Sequence, residues 1–206
     1  MDWLNLDVDM LNEIKNGEYD APEFEIKSDV LKVIVDKAYV TTTDNGAKRF
    51  DIEFKTENGR TIFATEYVTS GNDKDNKSYY IDKNGKPQPL QGVIRIQKFF
   101  KACGIDMAKA KTEKTMVEMF GSQKEAIYFP ECSNKKMYIA LQAYEDDYSG
   151  EIKIKTRVID FISLNDEKLN EKIEKYQKRF ERTPVVPLKT KKEPTTTKQD
   201  VDLSKW

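Results

Sequence analysis

The chain contains no histidine. Serine–histidine and cysteine–histidine nucleophile pairs are thereby excluded, and so are histidine-ligated metals. Its two cysteines, Cys103 and Cys132, are too few for a disulfide framework and too far apart for a structural zinc site. Two reduced, buried thiols are the expectation, in a cytoplasmic-type compartment. No apolar run approaches the ~18 residues of a membrane span, and the first residues lack the basic and apolar pattern of a signal peptide. A soluble protein without a membrane partner is expected. No Gly-x-x-x-x-Gly-Lys-Ser/Thr stretch occurs, which argues against an ATPase. Net charge is nearly absent as well: 35 basic against 36 acidic residues leave −1, so no global positive field draws the chain toward a polyanion. Such attraction has to come from charge gathered on one face.

Charge is in fact segregated along the chain. Residues 1–28 carry eight acids against Lys15 and Lys27, a balance of −6 that leaves +5 for the remaining 178 residues. Apolar Trp3, Leu4, Leu6, Val8, Leu11 and Ile14 are scattered through this arm, and a short helix at about 7–16 is expected. It is either a solvated lead-in or an arm that docks on a basic surface. At the other end, 183–206 is rich in Pro, Thr and Lys, reads as a disordered tail, and closes on Asp200, Asp202 and Trp206.

Between them, residues 29–182 read as one mainly β domain with helices. Leu31, Val33 and Val35 alternate, and β-branched residues follow to Thr43. Asn45-Gly46 marks a hairpin turn, Phe50, Ile52 and Phe54 alternate with Arg49, Asp51, Glu53 and Lys55, and Asn58-Gly59 turns into a third strand over 60–69. A hairpin over 71–88 follows as an insertion. Val93, Ile94, Ile96, Phe99 and Phe100 then recur at helical spacing up to Gly104. A short helix near 107–111 and short strands near 116–120 and 127–129 are expected next. Two longer strands, 136–144 and 151–161, are joined by a loop at 145–150. An amphipathic helix over about 166–181 carries Leu169, Ile173 and Tyr176 on one stripe. Three meander strands, a helix and two more strands is the order of an OB-fold five-stranded barrel, here with an inserted β-hairpin and a C-terminal helix. The loops 41–47 and 145–150 would flank its groove. An immunoglobulin-like sandwich fits less well, because a helix stands where it would need a strand.

The inserted hairpin holds the densest functional signal. Tyr79 and Tyr80 are adjacent, with Lys74, Lys77, Lys83 and Lys86 around them. Cations that hold phosphates, interleaved with rings that stack on bases, suit an unpaired nucleic-acid strand. Adjacent strand residues face opposite sides, so one tyrosine is expected to meet a base and the other to pack inward. Tyr67, ahead of the hairpin, joins this set. Lys48, Arg49, Lys55 and Arg60 on the second and third strands, and Lys153, Lys155 and Arg157 on the last, would line the same groove. Each cluster is interspersed with acids and reads equally as a solvated strand face. Asp51, Glu53 and Lys55 are similar in spacing to the carboxylate–lysine core of Mg²⁺-dependent nucleases, which amphipathic strands also produce by chance. Asp73 and Asp82 begin calcium-loop-like patterns, but no glutamate closes either, and Asp82-Lys-Asn-Gly85 reads as a turn. No cofactor or metal is expected.

Tyr67-Val-Thr-Ser-Gly71, Lys77, Tyr79-Tyr80, Asp82-Lys83-x-Gly85-Lys86, Leu90-x-Gly92 and the apolar helix to Cys103-Gly104 together resemble the single-stranded-DNA-binding proteins of bacteriophages, over about residues 30–105. Tyr67 and Gln91 depart from the Trp and Pro usual there. The resemblance implies an OB-fold protein, not an enzyme, that coats and protects unwound DNA during replication, recombination or repair in a bacterial host. It also implies a tail tip, here Asp200, Asp202 and Trp206, that contacts replication proteins. The alternative is an adaptor that brings a polymerase, RNA polymerase included, to unwound DNA through the arm or the tail.

Overall fold

The computed structural model describes residues 26–119 and 121–188. The acidic arm ahead of Ile26 and the tail tip with Asp200, Asp202 and Trp206 lie outside the described residues.

Strand β1 (Asp29–Thr42), β2 (Lys48–Thr56) and β3 (Thr61–Tyr67) form the antiparallel meander the alternation predicts. Its turns use Gly46 and Gly59 at φ 78° and 81°, a left-handed conformation that glycine adopts without steric cost. A two-stranded ribbon, β4 (Tyr79–Ile81) and β5 (Pro87–Pro89), leads into helix α1 (Gln91–Cys103). Then come β6 (Glu113–Met119), β7 (Ser122–Tyr128), β8 (Lys136–Tyr148), β9 (Glu151–Ser163), α2 (Leu169–Arg182) and the short β10 (Val185–Val186).

The long β1 is shared. Residues 29–34 pair with β8, Tyr39 to Thr41 pair with β7, and β2 takes the opposite edge. The main path therefore runs β9–β8–β1–β2–β3, all antiparallel, with β10 added parallel to β8. β3 and β9 lie at its two ends and do not pair with each other, so the sheet is open along that seam.

Phenylalanine fills the inside of the curved sheet. Phe50 and Phe54 from β2 meet Phe99 from α1 in edge-to-face contacts, and Phe161 from β9 closes on Phe99 at 5.5 Å. All four are buried together with Val33, Val35, Ile52, Ile139 and Leu141. Each such side chain contributes about 1.5–3 kcal/mol by leaving water. Helix α1 places Ile96, Phe99, Phe100 and Cys103 on one stripe and stops at Gly104, φ 73°, whose N–H returns to the Lys101 carbonyl. At its start, a Cβ on Gly92 would lie 1.9 Å from the Tyr67 carbonyl oxygen. The helix therefore presses against the end of β3 as only glycine permits.

Three segments differ from the sequence reading. Residues 113–119 and 122–128 pair as two seven-residue strands rather than two short ones, because their sequence is too rich in Glu and Lys for the alternation to stand out. The expected loop 145–150 shrinks to the turn Ser149-Gly150, since β8 and β9 pair out to Tyr148 and Glu151. Within the compositionally defined tail, Val185 and Val186 pair with Ala143 and Tyr144, and the Ser28 hydroxyl donates to Pro184 O. The paired backbone, not a hydrophobic run, holds that segment. No helix among the described residues is long and apolar enough to cross a membrane.

Candidate nucleic-acid interface

β3 turns Ile62 and Ala64 into the core and Phe63, Thr65 and Tyr67 outward. Phe63 is 63% exposed and Tyr67 55%. Four residues apart on an extended strand, their rings stand roughly 13 Å from each other along it. Across β2 the same rows read Glu53–Phe63, Asp51–Thr65 and Arg49–Tyr67.

The β2 members of these rows are internally satisfied. Arg49 Nε donates to Asp51 Oδ2 at 2.9 Å, Thr65 Oγ1 donates to Asp51 Oδ1 at 2.7 Å, and Asp51 is buried. Tyr39 from β1 donates to Glu53 Oε1 at 3.1 Å, and Lys37 stands 3.5 Å from the other oxygen. Burial, then the carboxylates of Glu53 and Asp51, push the Tyr39 phenol far above its ordinary value. Arg49 is thus a structural partner, not the free phosphate contact its strand position implies. Lys55 is turned to Asp36 at 3.0 Å. The nuclease-like trio is not assembled as a site: Asp51 is sealed by Arg49 and Thr65, and Lys55 points elsewhere. Among the described residues, no three acidic, cysteine or histidine side chains gather as metal ligands.

The loop ahead of the ribbon is anchored to the meander, and the ribbon's own two ends are bonded to each other. Asn72 N donates to Asn45 O at 2.8 Å, Lys48 N to Thr69 Oγ1 at 2.8 Å, and Leu90 N to Ser78 O at 3.0 Å. A Cβ on Gly46 would collide with the Asn72 side chain, so the β1–β2 turn and the insertion fit each other closely. Asp82 Oδ1 accepts from Asn84 N and Lys86 N, and these bonds hold its carboxyl below the usual carboxylate range. The Asp82–Gly85 segment is a turn, as its sequence predicts.

Tyr79 and Tyr80 are both exposed, as is Ile81. The expectation that one of the two tyrosines packs inward is therefore wrong. β4 and β5 pair only with each other, and none of their residues is buried, so no layer covers either face of the ribbon and alternation buries nothing. Lys74, Lys83 and Lys86 are exposed around these rings. Lys77 lies 2.9 Å from Asp75, and each of this pair shifts the other toward its charged form.

On the other side of β3, a cleft of about 400 Å³ separates it from β9, lined by Phe63, Thr65, Glu66, Arg95, Thr156 and Arg157. Arg157 is exposed; its guanidinium sits over the Tyr144 ring, 5.2 Å from the centroid, and donates to Gln142 Oε1 at 3.3 Å. Lys153 and Lys155 are matched by Glu151 at 3.4 Å and Asp146 at 2.6 Å within their own hairpin. Lys48 bonds Thr42 Oγ1 and faces a separate groove shared with β6 and β7. The exposed Arg60 sits in the turn before β3.

The exposed rings Phe63, Tyr67, Tyr79 and Tyr80 thus fall on β3 and on the ribbon that follows it in the chain, with exposed Arg60, Lys74, Lys83 and Lys86 close to them in sequence and Arg157 lining the cleft with Phe63. Lys48, Arg49, Lys55, Lys153 and Lys155 fall outside this group or are internally paired. Phe63 is absent from the sequence-derived set. Its signal was its parity: it alternates with Ile62 and Ala64 and so shares the face of Thr65 and Tyr67. Compared with protein-family models and with curated proteins, the chain matches none.

Proposed function

We propose that this chain binds single-stranded DNA non-enzymatically, on an OB-fold-type barrel whose outer β3 surface and attached ribbon carry the strand. The order β3–β2–β1–β8–β9, with α1 between the third and fourth of these strands in sequence, supports the OB-fold reading. One observation carries the functional reading: four exposed aromatic rings on β3 and the ribbon, flanked by cations. Exposed rings offer π-faces to any base, and lysines and arginines neutralise the phosphates between them. Stacking accepts every base, so sequence preference is small, as suits a protein that coats unwound DNA in replication or recombination.

The test is binding of the full chain to a labelled single-stranded oligonucleotide, the matching duplex and single-stranded RNA, each at two salt concentrations. Preference for the unpaired strand, weakening as salt rises because each phosphate contact releases counterion, is the expected result. Absence of binding to the unpaired strand, or binding untouched by simultaneous Phe63→Ala, Tyr67→Ala and Tyr80→Ala, defeats the proposal.

A further inference from the structure

The far end of the β8–β9 hairpin has no role in the surface described above. Its turn, Ser149-Gly150, has both residues at positive φ, 59° and 86°, which is the I′ geometry of a two-residue hairpin. In such a hairpin the flanking residues, Tyr148 and Glu151, exchange both backbone hydrogen bonds, and bonded and non-bonded pairs alternate from there. By that alternation Lys153 and Lys155 bond to β8, opposite Asp146 and Tyr144. Ile152, Ile154 and Thr156 then turn their N–H and C=O groups away from β8. Among the described residues no strand pairs with this second edge of β9. The first group to reach it is the Arg95 guanidinium, at the Val158 carbonyl. The same stretch exposes apolar surface: Ile152 is 63% exposed and Ile154 43%, side by side on one face. An open edge with exposed isoleucines is a template for a further strand.

We propose that this edge pairs antiparallel with the same edge of a second copy of the chain, about a two-fold axis at Lys153. The argument is self-complementarity. With the axis at Lys153, Ile152 lies opposite Ile154 of the partner subunit, and Ile154 opposite Ile152 of the partner subunit. The outward backbone groups of both therefore meet in bonded pairs. The same register sets Glu151 opposite Lys155 of the partner subunit, twice over. Lys153 meets its own copy, and each chain brings Asp146 to that place, opposite Lys153 on β8 and 2.6 Å from Lys155 Nζ. Moving the register by one residue leaves the outward groups unmet. Moving the axis to Ile154 keeps the backbone bonds but sets Ile152 against threonine and Lys153 against Lys155 on both sides. An axis at Ile152 also brings Glu151 to Lys153 but sets Ile154 against the turn residue Gly150, so the Lys153-centred register is the one that matches both isoleucines as well as acid with base, and it joins the two sheets into one.

Sedimentation velocity on the full chain, without nucleic acid, over a range of protein concentrations tests this. A monomer–dimer equilibrium is expected, and Ile154→Asp, at an exposed position, is expected to leave only monomer with an unchanged far-ultraviolet circular dichroism spectrum. Non-bonded antiparallel partners have Cα atoms about 4.5 Å apart, within the span of a disulfide. Lys153→Cys should therefore form a covalent dimer on mild oxidation, and Lys155→Cys should not; Cys103 and Cys132 are buried and do not compete. A wild-type chain that is monomeric at every concentration overturns the proposal. So does a dimer that persists in Ile154→Asp, or cross-linking that is no better at position 153 than at 155.

Discussion

Arg95 Nε stands 2.6 Å from Glu66 Oε1 in the cleft where β3 and β9 face each other without pairing. The same guanidinium donates to the Val158 carbonyl of β9. One side chain from α1 thus joins the two sheet edges that backbone hydrogen bonds leave apart. Arg95→Met removes both contacts and leaves a mostly buried carboxylate, with 14% of its side chain exposed, without its cation. Stability is expected to fall by about 1–3 kcal/mol, toward the lower end of the range for breaking a buried pair. Urea unfolding measures this. An unchanged midpoint would show that the seam holds without the bridge.

Burial is the largest influence on Glu66 and raises its pKa; the attraction of Arg95 pulls it back only in part. A carboxyl whose folded pKa is raised takes up its proton more readily when folded than when unfolded. Its contribution to stability is complete below the ordinary glutamate pKa and is lost as pH rises through the folded one. Glu66→Gln cannot titrate. The stability of the wild type relative to this variant is therefore expected to decline with rising pH across that window and stay level on either side. Urea midpoints for both proteins along a pH series give the comparison, and an opposite slope would mean that Arg95 dominates.

Phe63 and Phe99 separate binding from folding. Phe63 is 63% exposed and Phe99 fully buried. Phe63→Ala removes a mostly exposed ring, so its stability cost is small, within about 0.5 kcal/mol. If it stacks on a base, binding to an unpaired oligonucleotide weakens by about 1–3 kcal/mol. Phe99→Ala opens a cavity among Phe50, Phe54, Phe100 and Phe161 and should cost about 3–5 kcal/mol of stability. Parallel denaturation and anisotropy titrations decide. Normal binding by Phe63→Ala removes it from the interface.

The alternation Phe50–Ile52–Phe54 and the helical stripe Ile96–Phe99–Phe100–Cys103 were readable in the sequence because a buried face imposes its period on the residues that cover it. What the sequence hid were contacts at a distance. Nothing around Asp51 announces both Arg49 and Thr65 as its partners, since the cross-strand row to Thr65 exists only once β2 and β3 are in register. Alternation also misled where it had no core to refer to. Tyr79 and Tyr80 follow the period of a strand, but their ribbon has no layer on either side, so period and burial part company. The pairing of Val185 and Val186 with β8 was hidden for a related reason: two residues in a Pro- and Lys-rich context carry no periodicity, and backbone hydrogen bonds leave no mark on composition.

Gly92 is where the helix and the candidate interface meet. The Cβ of an alanine there would lie 1.9 Å from Tyr67 O and 2.8 Å from Tyr67 C. Both are backbone atoms, so no rotamer change relieves the overlap, and α1 has to move off the end of β3. Gly92→Ala is expected to cost about 1–3 kcal/mol, as overpacking does, despite alanine's better helix propensity. Because the displaced residue is Tyr67, binding of unpaired DNA should weaken even at temperatures where the variant is fully folded. A thermal melt paired with a binding titration tests both. A Gly92→Ala protein as stable as the wild type would mean that the helix start yields without cost.

Tyr176 offers a check that lies in the scaffold alone. Its hydroxyl donates to Asp160 Oδ2 at 2.9 Å, and Lys98 holds the other carboxylate oxygen at 3.3 Å. Burial first, then Asp160, push its pKa up to about 12. A phenol raised in this way contributes fully below its ordinary value near 10 and loses that contribution as pH climbs through the folded pKa. Spectroscopic titration of phenolate should therefore show late steps for Tyr39 and Tyr176, with one of them gone in Tyr176→Phe. That variant loses one hydrogen bond while Asp160 keeps Lys98, so the cost should be on the order of 1 kcal/mol. Helix α2 packs on β1 and β9 rather than on the outer face of β3, so DNA affinity should not change. A late step that survives in Tyr176→Phe would assign it to another tyrosine, and weakened DNA binding would place α2 within the interface.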